Sequence, residues 1–259
     1  MNDYDVVIAV VSLNATNALK QCIARCKIEA EIMNSAGYKC HLQVDDNGSN
    51  NDTINWLKTN IPANSLQINN KNLGISITKN SIMNRFKTKY VFYIDNDIVP
   101  IPGCVISFFH YMELHKECGL FAFSLTKNGN RCDTENTNLA SKNTDMTKII
   151  HKDDNFGYSG YAIHRKDMHK LIKWEEDGPF SGPGYGWEDM DLGCQIIYNT
   201  DYRVHVLQDH TFLHYRCSSL NSLTKAVFDK SQNDRRDFYF KKWGNLIDTS
   251  GYPSRRFKK

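Results

Sequence analysis

Apolar residues in this chain follow two alternating rhythms. Asp5-Val6-Val7-Ile8-Ala9-Val10-Val11 is a continuous β-branched run, which predicts a buried first strand with Ser12, Leu13 and Asn14 as the loop at its C-terminal end. Leu19, Cys22, Ile23, Cys26, Ala30 and Met33 then recur at steps of three and four, an amphipathic helix with Gly37 as its stop. The cycle repeats. A strand from Cys40 to Val44 runs into Asp45-Asp46-Asn47-Gly48-Ser49, a turn composition, and Asp52 or Thr53 is expected to cap the next helix. A short strand near Leu66 to Ile68 is followed by Asn72-Leu73-Gly74 and a helix with Ile75, Ile82, Met83 and Phe86 on one face and Lys79 and Asn80 on the other. Tyr90-Val91-Phe92-Tyr93-Ile94 reads as another buried strand, and beyond Pro100 and Pro102 the residues Val105, Phe108, Phe109 and Met112 mark a further helix. Alternating strands and helices predict an α/β chain with a mainly parallel sheet.

The second part is less regular. Gly119 to Leu125 reads as a strand, but residues 126–155 are dense in Asn, Thr, Lys and Asp without any period. A loop of that length in a compact domain suggests a functional lid. Strand composition returns from Phe156 to His164, and Met168, Leu171 and Ile172 suggest a short helix. Gly178-Pro179-Phe180-Ser181-Gly182-Pro183-Gly184-Tyr185-Gly186 forbids regular structure until Trp187, where a helix with one buried side, including Asp189 and Met190, is expected. A strand from Tyr202 to Leu207, the segment containing His210 and His214, and a largely helical stretch over 220–243 complete the pattern.

Composition narrows the class. The chain has 259 residues, enough for one core without staples, and its net charge of +3 is too small to argue for nucleic acid. It contains no uninterrupted apolar stretch of membrane-spanning length, and Met1-Asn2-Asp3-Tyr4-Asp5 is unlike a signal peptide, so the expectation is a cytoplasmic protein. Asn-x-Ser/Thr matches at Asn14, Asn47 and Asn51 are discounted on the same ground. The eight cysteines form no C-x-x-C pair and read as reduced, without disulfides or zinc. The tail Ser254-Arg255-Arg256-Phe257-Lys258-Lys259 is basic enough for weak contact with an anionic membrane surface.

Chemistry concentrates where the apolar runs stop. Asp95 and Asp97, separated by Asn96, follow a strand that needs no charge, and two acids there repel and resist burial unless water or a cation meets them. On the doublet alone, a solvated turn is the plainer reading. Strand alternation would put both carboxylates on one side, facing a hard cation such as Mg²⁺ or Mn²⁺. Asp45 and Asp46 sit at another strand tip, and parallel strands bring such tips to one edge, where open α/β sheets bind ligands. Glu188, Asp189 and Asp191 stand in the first turn of a helix, whose dipole favours ionised acids near neutral pH, as a general base requires.

Taken in order, the βα start, Asp45-Asp46-Asn47-Gly48-Ser49, Asn72-Leu73-Gly74 before Lys79-Asn80, Asp95-Asn96-Asp97 and Gly186-Trp187-Glu188-Asp189-Met190-Asp191-Leu192 resemble the GT-A fold glycosyltransferases, most closely the inverting family 2 type. The resemblance covers roughly residues 5–215. It implies a Rossmann-like, mixed but mainly parallel sheet flanked by helices. The implied organisation is a single domain over 1–259, with a nucleotide-sugar half to about residue 100, an acceptor half over 101–215 and a C-terminal helical tail over 216–259. It also implies that Asp46, or Asp45 in its place, holds the nucleotide base, that Ser12 to Asn14 lie beside the nucleoside, and that Lys79 stands where a basic residue is common. Asp97 then ligates a divalent cation, Mn²⁺ or Mg²⁺; Asp95 faces ribose or metal, and His214, or His210 as substitute, completes the site. Asp189 becomes the base and Glu188 a hydrogen-bonding partner of the acceptor. The implied reaction moves a sugar from a nucleotide-sugar, a UDP-sugar by preference, to a hydroxyl of a glycan, lipid-linked or protein acceptor, with inversion. The alternatives are a nucleotidyltransferase, which would need a glycine-rich basic loop that Leu13 to Leu19 lacks, and a non-catalytic binding module of the same fold. The first strand lacks the usual proline, and the 126–155 segment has no counterpart in the family pattern.

Overall fold

The computed structural model describes residues 3–14, 16–124, 158–184, 186–207, 213–214 and 225–253. The chain opens with β1 (Asp3–Ser12), α1 (Thr16–Ser35), β2 (Cys40–Asp46), α2 (Asn51–Asn60), β3 (Leu66–Ile68), α3 (Ile75–Arg85) and β4 (Lys87–Asp95). It continues with β5 (Ile98–Val99), α4 (Cys104–Leu114), β6 (Cys118–Ser124), β7 (Tyr158–Arg165), α5 (Glu188–Asn199), β8 (Arg203–Leu207), β9 (Leu213–His214) and α6 (Lys225–Trp243). Seven strands form one sheet in the order β3-β2-β1-β4-β7-β6-β8, while β5 and β9 make a separate two-stranded ladder. Only β7 runs against the others in the large sheet, pairing antiparallel with both β4 and β6.

The sheet is covered on both faces, which explains why its central strands read as unbroken apolar runs. Val6, Ile8, Val10, Phe92 and Ile94 pack with Leu19, Cys22 and Cys26 of α1 and Phe108 of α4. The alternate residues Ala9, Val11, Val91 and Tyr93 pack with Ile82 and Met83 of α3 and Leu192 and Ile196 of α5. Each such aliphatic side chain contributes roughly 1.5–3 kcal/mol by leaving water. Glu29 is buried within the α1 stripe because its carboxylate accepts from Gly103 N (2.8 Å) and Val105 N (3.1 Å), capping α4.

Several boundaries differ from the sequence reading. Asn50 caps α2 by accepting from Thr53 N, because its extended backbone aims the short side chain at the helix while Asp52 is already inside the first turn. β4 stops at Asp95, and Asn96 and Asp97 form a turn into β5. The two acids are therefore not alternate residues of one strand. β6 ends at Ser124 and β7 begins at Tyr158; the expected lid over 126–155 lies outside the described residues, as does the basic tail 254–259. Cys22, Cys26, Cys40, Cys104, Cys118 and Cys194 are free thiols, and Cys132 and Cys217 lie outside the described residues. No helix among the described residues is long and apolar enough to cross a membrane.

Candidate active site

The acid-tipped strands meet at one edge. Val11 of β1 is the register partner of Asp45 on β2 and of Asp95 on β4, and Ser12 is the partner of Asp46. Parallel pairing thus lines up the ends of three strands, as the sequence reading required. The loops beyond these tips are stitched together by side chains. Asn96 Nδ2 donates to Leu13 O (3.2 Å), Asn14 N donates to Ser49 Oγ (2.7 Å) and Asn50 N donates to Asn14 Oδ1 (2.9 Å). Asn14 itself takes a left-handed φ of 53°, which a short polar residue tolerates best after glycine. Asn47 Oδ1 accepts from Leu73 N (3.0 Å), and Asn72 Oδ1 from Gly74 N (2.9 Å), so Asp-Asp-Asn-Gly-Ser and Asn-Leu-Gly are one folded unit.

The two acids of the β2 tip have different environments. Both oxygens of Asp45 engage Arg85, at 2.6 and 3.2 Å, and Gln43 Nε2 adds a third bond at 2.7 Å. Asp46 uses Oδ2 for Gly48 N and Ser49 N, at 3.2 and 3.0 Å. Its Oδ1, like Ser12 Oγ beside it, is buried without a hydrogen-bond partner among the described residues. A buried carboxylate oxygen in that state costs free energy until a donor reaches it.

Asp95 and Asp97 flank the β4–β5 turn, with Asp97 buried and Asp95 partly so. The backbone of His214 in β9 pairs with Ile98, the residue after Asp97. His210 lies outside the described residues.

Lys79 is not on a solvated face of α3. It is 3% exposed, its ammonium 5.5 Å from the centre of the Trp174 ring and 3.6 Å from Asp189 Oδ1. Burial alone would lower its pKa, but Asp189, Asp95 and Glu188 together raise it, so it stays charged. The Asp189 carboxyl is pushed up to about 7: burial outweighs the attraction of Lys79, and Glu188 and Asp95 add repulsion. Burial and two neighbouring acids oppose the helix dipole, which favours the ionised form. The resulting value is that of a group able to take and release a proton near neutral pH.

Glu188 and Asp189 are presented by a strained entry into α5. Trp187 has φ 70°, an uncommon conformation for a bulky residue, costing about 1–3 kcal/mol. It is held against Tyr239 and Phe240 of α6, with ring centres 5.3 and 5.8 Å away. Arg235 of α6, fully buried, donates to Pro179 O (3.2 Å), Gly182 O (3.2 Å) and Gly186 O (3.4 Å), and pairs with Glu188 Oε2 (3.4 Å). Further along α6, Trp243 Nε1 donates to Asp191 Oδ1 at 2.8 Å and Lys242 pairs with the same atom at 2.8 Å. The C-terminal helix is thus part of the frame that positions Glu188 and Asp189. Nothing local in its polar sequence singles out Arg235; Arg85 and Trp174, whose carbonyl accepts from Asn80 Nδ2 (2.9 Å), escaped the sequence reading for the same reason.

No protein-family profile and no curated protein matches the sequence. Solved structures do match. TarS 1–349 of S. aureus superimposes with a TM-score of 0.56 at 12% identity, over 95% of this chain and 76% of that one. A mannosyltransferase of Pyrobaculum calidifontis, solved with GDP-Man and Mn²⁺, gives 0.54 at 13% identity, over 82% and 57%. Glucosyl-3-phosphoglycerate synthase of Mycobacterium tuberculosis, solved with phosphoglyceric acid, gives 0.51 at 13%, over 82% and 72%. The chain has the GT-A fold. A match over 95% of the chain also reaches beyond residues 5–215, so the GT-A likeness extends into the C-terminal part that the sequence motifs left out.

Proposed function

We propose that this GT-A chain is a glycosyltransferase that moves a sugar from a nucleotide-sugar, UDP-linked by preference, to an acceptor hydroxyl with inversion. Support comes above all from Asp189, a carboxyl with a pKa near 7 that the fold carries to Lys79 and into the electrostatic reach of Asp95. A base beside the kind of sheet edge at which α/β folds bind ligands suits glycosyl transfer to a hydroxyl. Solved GT-A neighbours hold UDP-GlcNAc in one case and GDP-Man with Mn²⁺ in another.

In this reading Asp46 Oδ1, buried and without a donor, takes an N–H of the base, with Ser12 and Asn14 beside the nucleoside. Asp45 serves Arg85 and leaves the base to Asp46. Asp95 and Asp97 would supply oxygen ligands suited to Mn²⁺ or Mg²⁺, with His214, whose backbone pairs with Ile98, as the expected further ligand. Bound there, such a cation supplies Lewis-acid stabilisation of the departing diphosphate. Asn96 fixes the turn against the first loop, and Lys79 adds positive charge beside the diphosphate. Asp189 removes the acceptor proton as the hydroxyl attacks the anomeric carbon from the face opposite the leaving group. Glu188, anchored by Arg235 through Oε2, hydrogen-bonds the acceptor.

The test is a thermal-shift screen of UDP, GDP, dTDP and CMP with Mn²⁺, with Mg²⁺ and with chelator. A nucleotide at about 100 times its dissociation constant adds about 2.7 kcal/mol, a shift of roughly 5–10 °C. Stabilisation by one nucleotide only in the presence of cation is the expected result. No shift with any nucleotide and either cation would overturn the reading.

A further inference from the structure

A second cluster of ligand-type side chains lies far from the strand tips, where β6 begins. His115 closes α4, Glu117 follows it in the turn into β6, and His205 stands on the edge strand β8 as the register partner of Phe121. One ligand atom from each of the three lies within 4.8 Å of the others. Because β6 and β4 point the same way across the sheet, the start of β6 is at the opposite edge from Asp95. The cluster therefore has no part in the nucleotide site.

Its chemistry is that of a transition-metal site. Two imidazoles and one carboxylate are the protein ligands of a common zinc arrangement, with a water in the fourth position. Tetrahedral bonds of about 2.0–2.1 Å put neighbouring ligand atoms about 3.3 Å apart. His115 Nδ1 and Glu117 Oε1 are already 3.2 Å apart. Tyr111 OH lies 2.8 Å from His205 Nδ1, the kind of outer contact that fixes the ring of a ligating histidine and directs Nε2 to the ion. The Tyr111 ring is itself fixed, stacked between His115 and Phe121 at 4.1 Å from each. His115 and Glu117 are partly exposed, so they can close on an ion without repacking the core. Arg165 already donates to Met112 O and His115 O at the end of α4, so a cation gains little from the helix dipole and must be held by ligation.

We infer that His115, Glu117 and His205 form a zinc-type divalent metal site that clips the α4–β6 turn to the edge strand β8. An ordinary histidine–carboxylate ion pair would satisfy the 3.2 Å contact equally well, and metal binding separates the two.

The probe is Co²⁺ added to chelator-stripped full-length protein, since four-coordinate cobalt absorbs visible light strongly and six-coordinate oxygen-ligated cobalt does so weakly. We expect one equivalent to give an intense band that Zn²⁺ abolishes. His115→Ala and Glu117→Gln, both at partly exposed positions and checked for folding by circular dichroism, should each weaken binding at least tenfold. Asp97→Asn should leave the band intact. The inference is overturned if no intense band forms at 100-fold excess of Co²⁺, if the band survives in the His115→Ala/Glu117→Gln double variant, or if it disappears in Asp97→Asn.

Discussion

At the scale of single residues, Lys79 and Asp189 hold each other in ionisation states that neither would keep alone. Burial disfavours both charges; the 3.6 Å pair, with the neighbouring acids, overcomes that at Lys79 and offsets it only in part at Asp189. Replacing Lys79 by Met keeps the volume and removes the cation, so the carboxyl loses a neighbour that lowers its pKa. The sign follows directly: protonated Asp189 is favoured, and the pH at which the base becomes available rises. In wild type, kcat/KM, which reports the free enzyme, should climb with pH through a midpoint near 7. In Lys79→Met the midpoint should lie at least one unit higher, about tenfold less activity on the acid limb at a given pH. An unmoved midpoint would show that Lys79 does not tune Asp189. Asp95 and Asp97 stood out in the sequence because they follow an apolar run that needs no charge, and Asp189 because it opens a helix after a glycine-rich segment. Burial of Lys79 was not legible, since the chain that covers it, around Trp174, follows almost a hundred residues later.

At the scale of elements, helices were legible where one face repeats, as in α1, and central strands where the apolar run is unbroken, as in β4, whereas the order of the strands and the antiparallel β7 were not. α6 was legible as a helix but not as a strap. Its stripe is weak, and besides the Trp187 and Asp191 contacts it contributes one guanidinium reaching four acceptors in the Gly178–Glu188 segment. Arg235→Met should cost about 3–5 kcal/mol in urea unfolding, because it leaves the Glu188 carboxylate buried without its cation and three carbonyls without their donor. Arg235→Lys should fall between the two, keeping the charge and losing the fork geometry. For Arg235→Lys, which should remain folded at assay temperature, the acceptor KM should rise while nucleotide affinity is unchanged. If nucleotide affinity falls with it, α6 supports the whole sheet edge and not the Glu188 segment in particular.

At the scale of the molecule, the β1–β4 part and the later part meet along a seam that passes between α3 and the glycine-rich segment. Gly74, at the N-terminus of α3 with φ 90°, lies so close to Gly182 that an added Cβ would stand 2.3 Å from its carbonyl oxygen. No other residue type fits both the backbone and the gap. This seam sets the separation of Lys79 from Asp189, and hence of the nucleotide edge from the acceptor base. Gly74→Ala must therefore widen it by roughly an ångström to restore ordinary contact. Asp46, Ser12 and the β4–β5 turn lie on the Gly74 side of the seam, away from Gly182, and are held by their own bonds to Gly48 N, Ser49 N and Leu13 O. Calorimetric titration of Gly74→Ala should give nucleotide affinity within about threefold of wild type, whereas transfer should fall about a hundredfold, the cost of misplacing a base by that distance. Equal losses in both would mean that the seam supports the nucleotide pocket itself. Unchanged transfer would mean that the Lys79–Asp189 spacing is not what the seam controls.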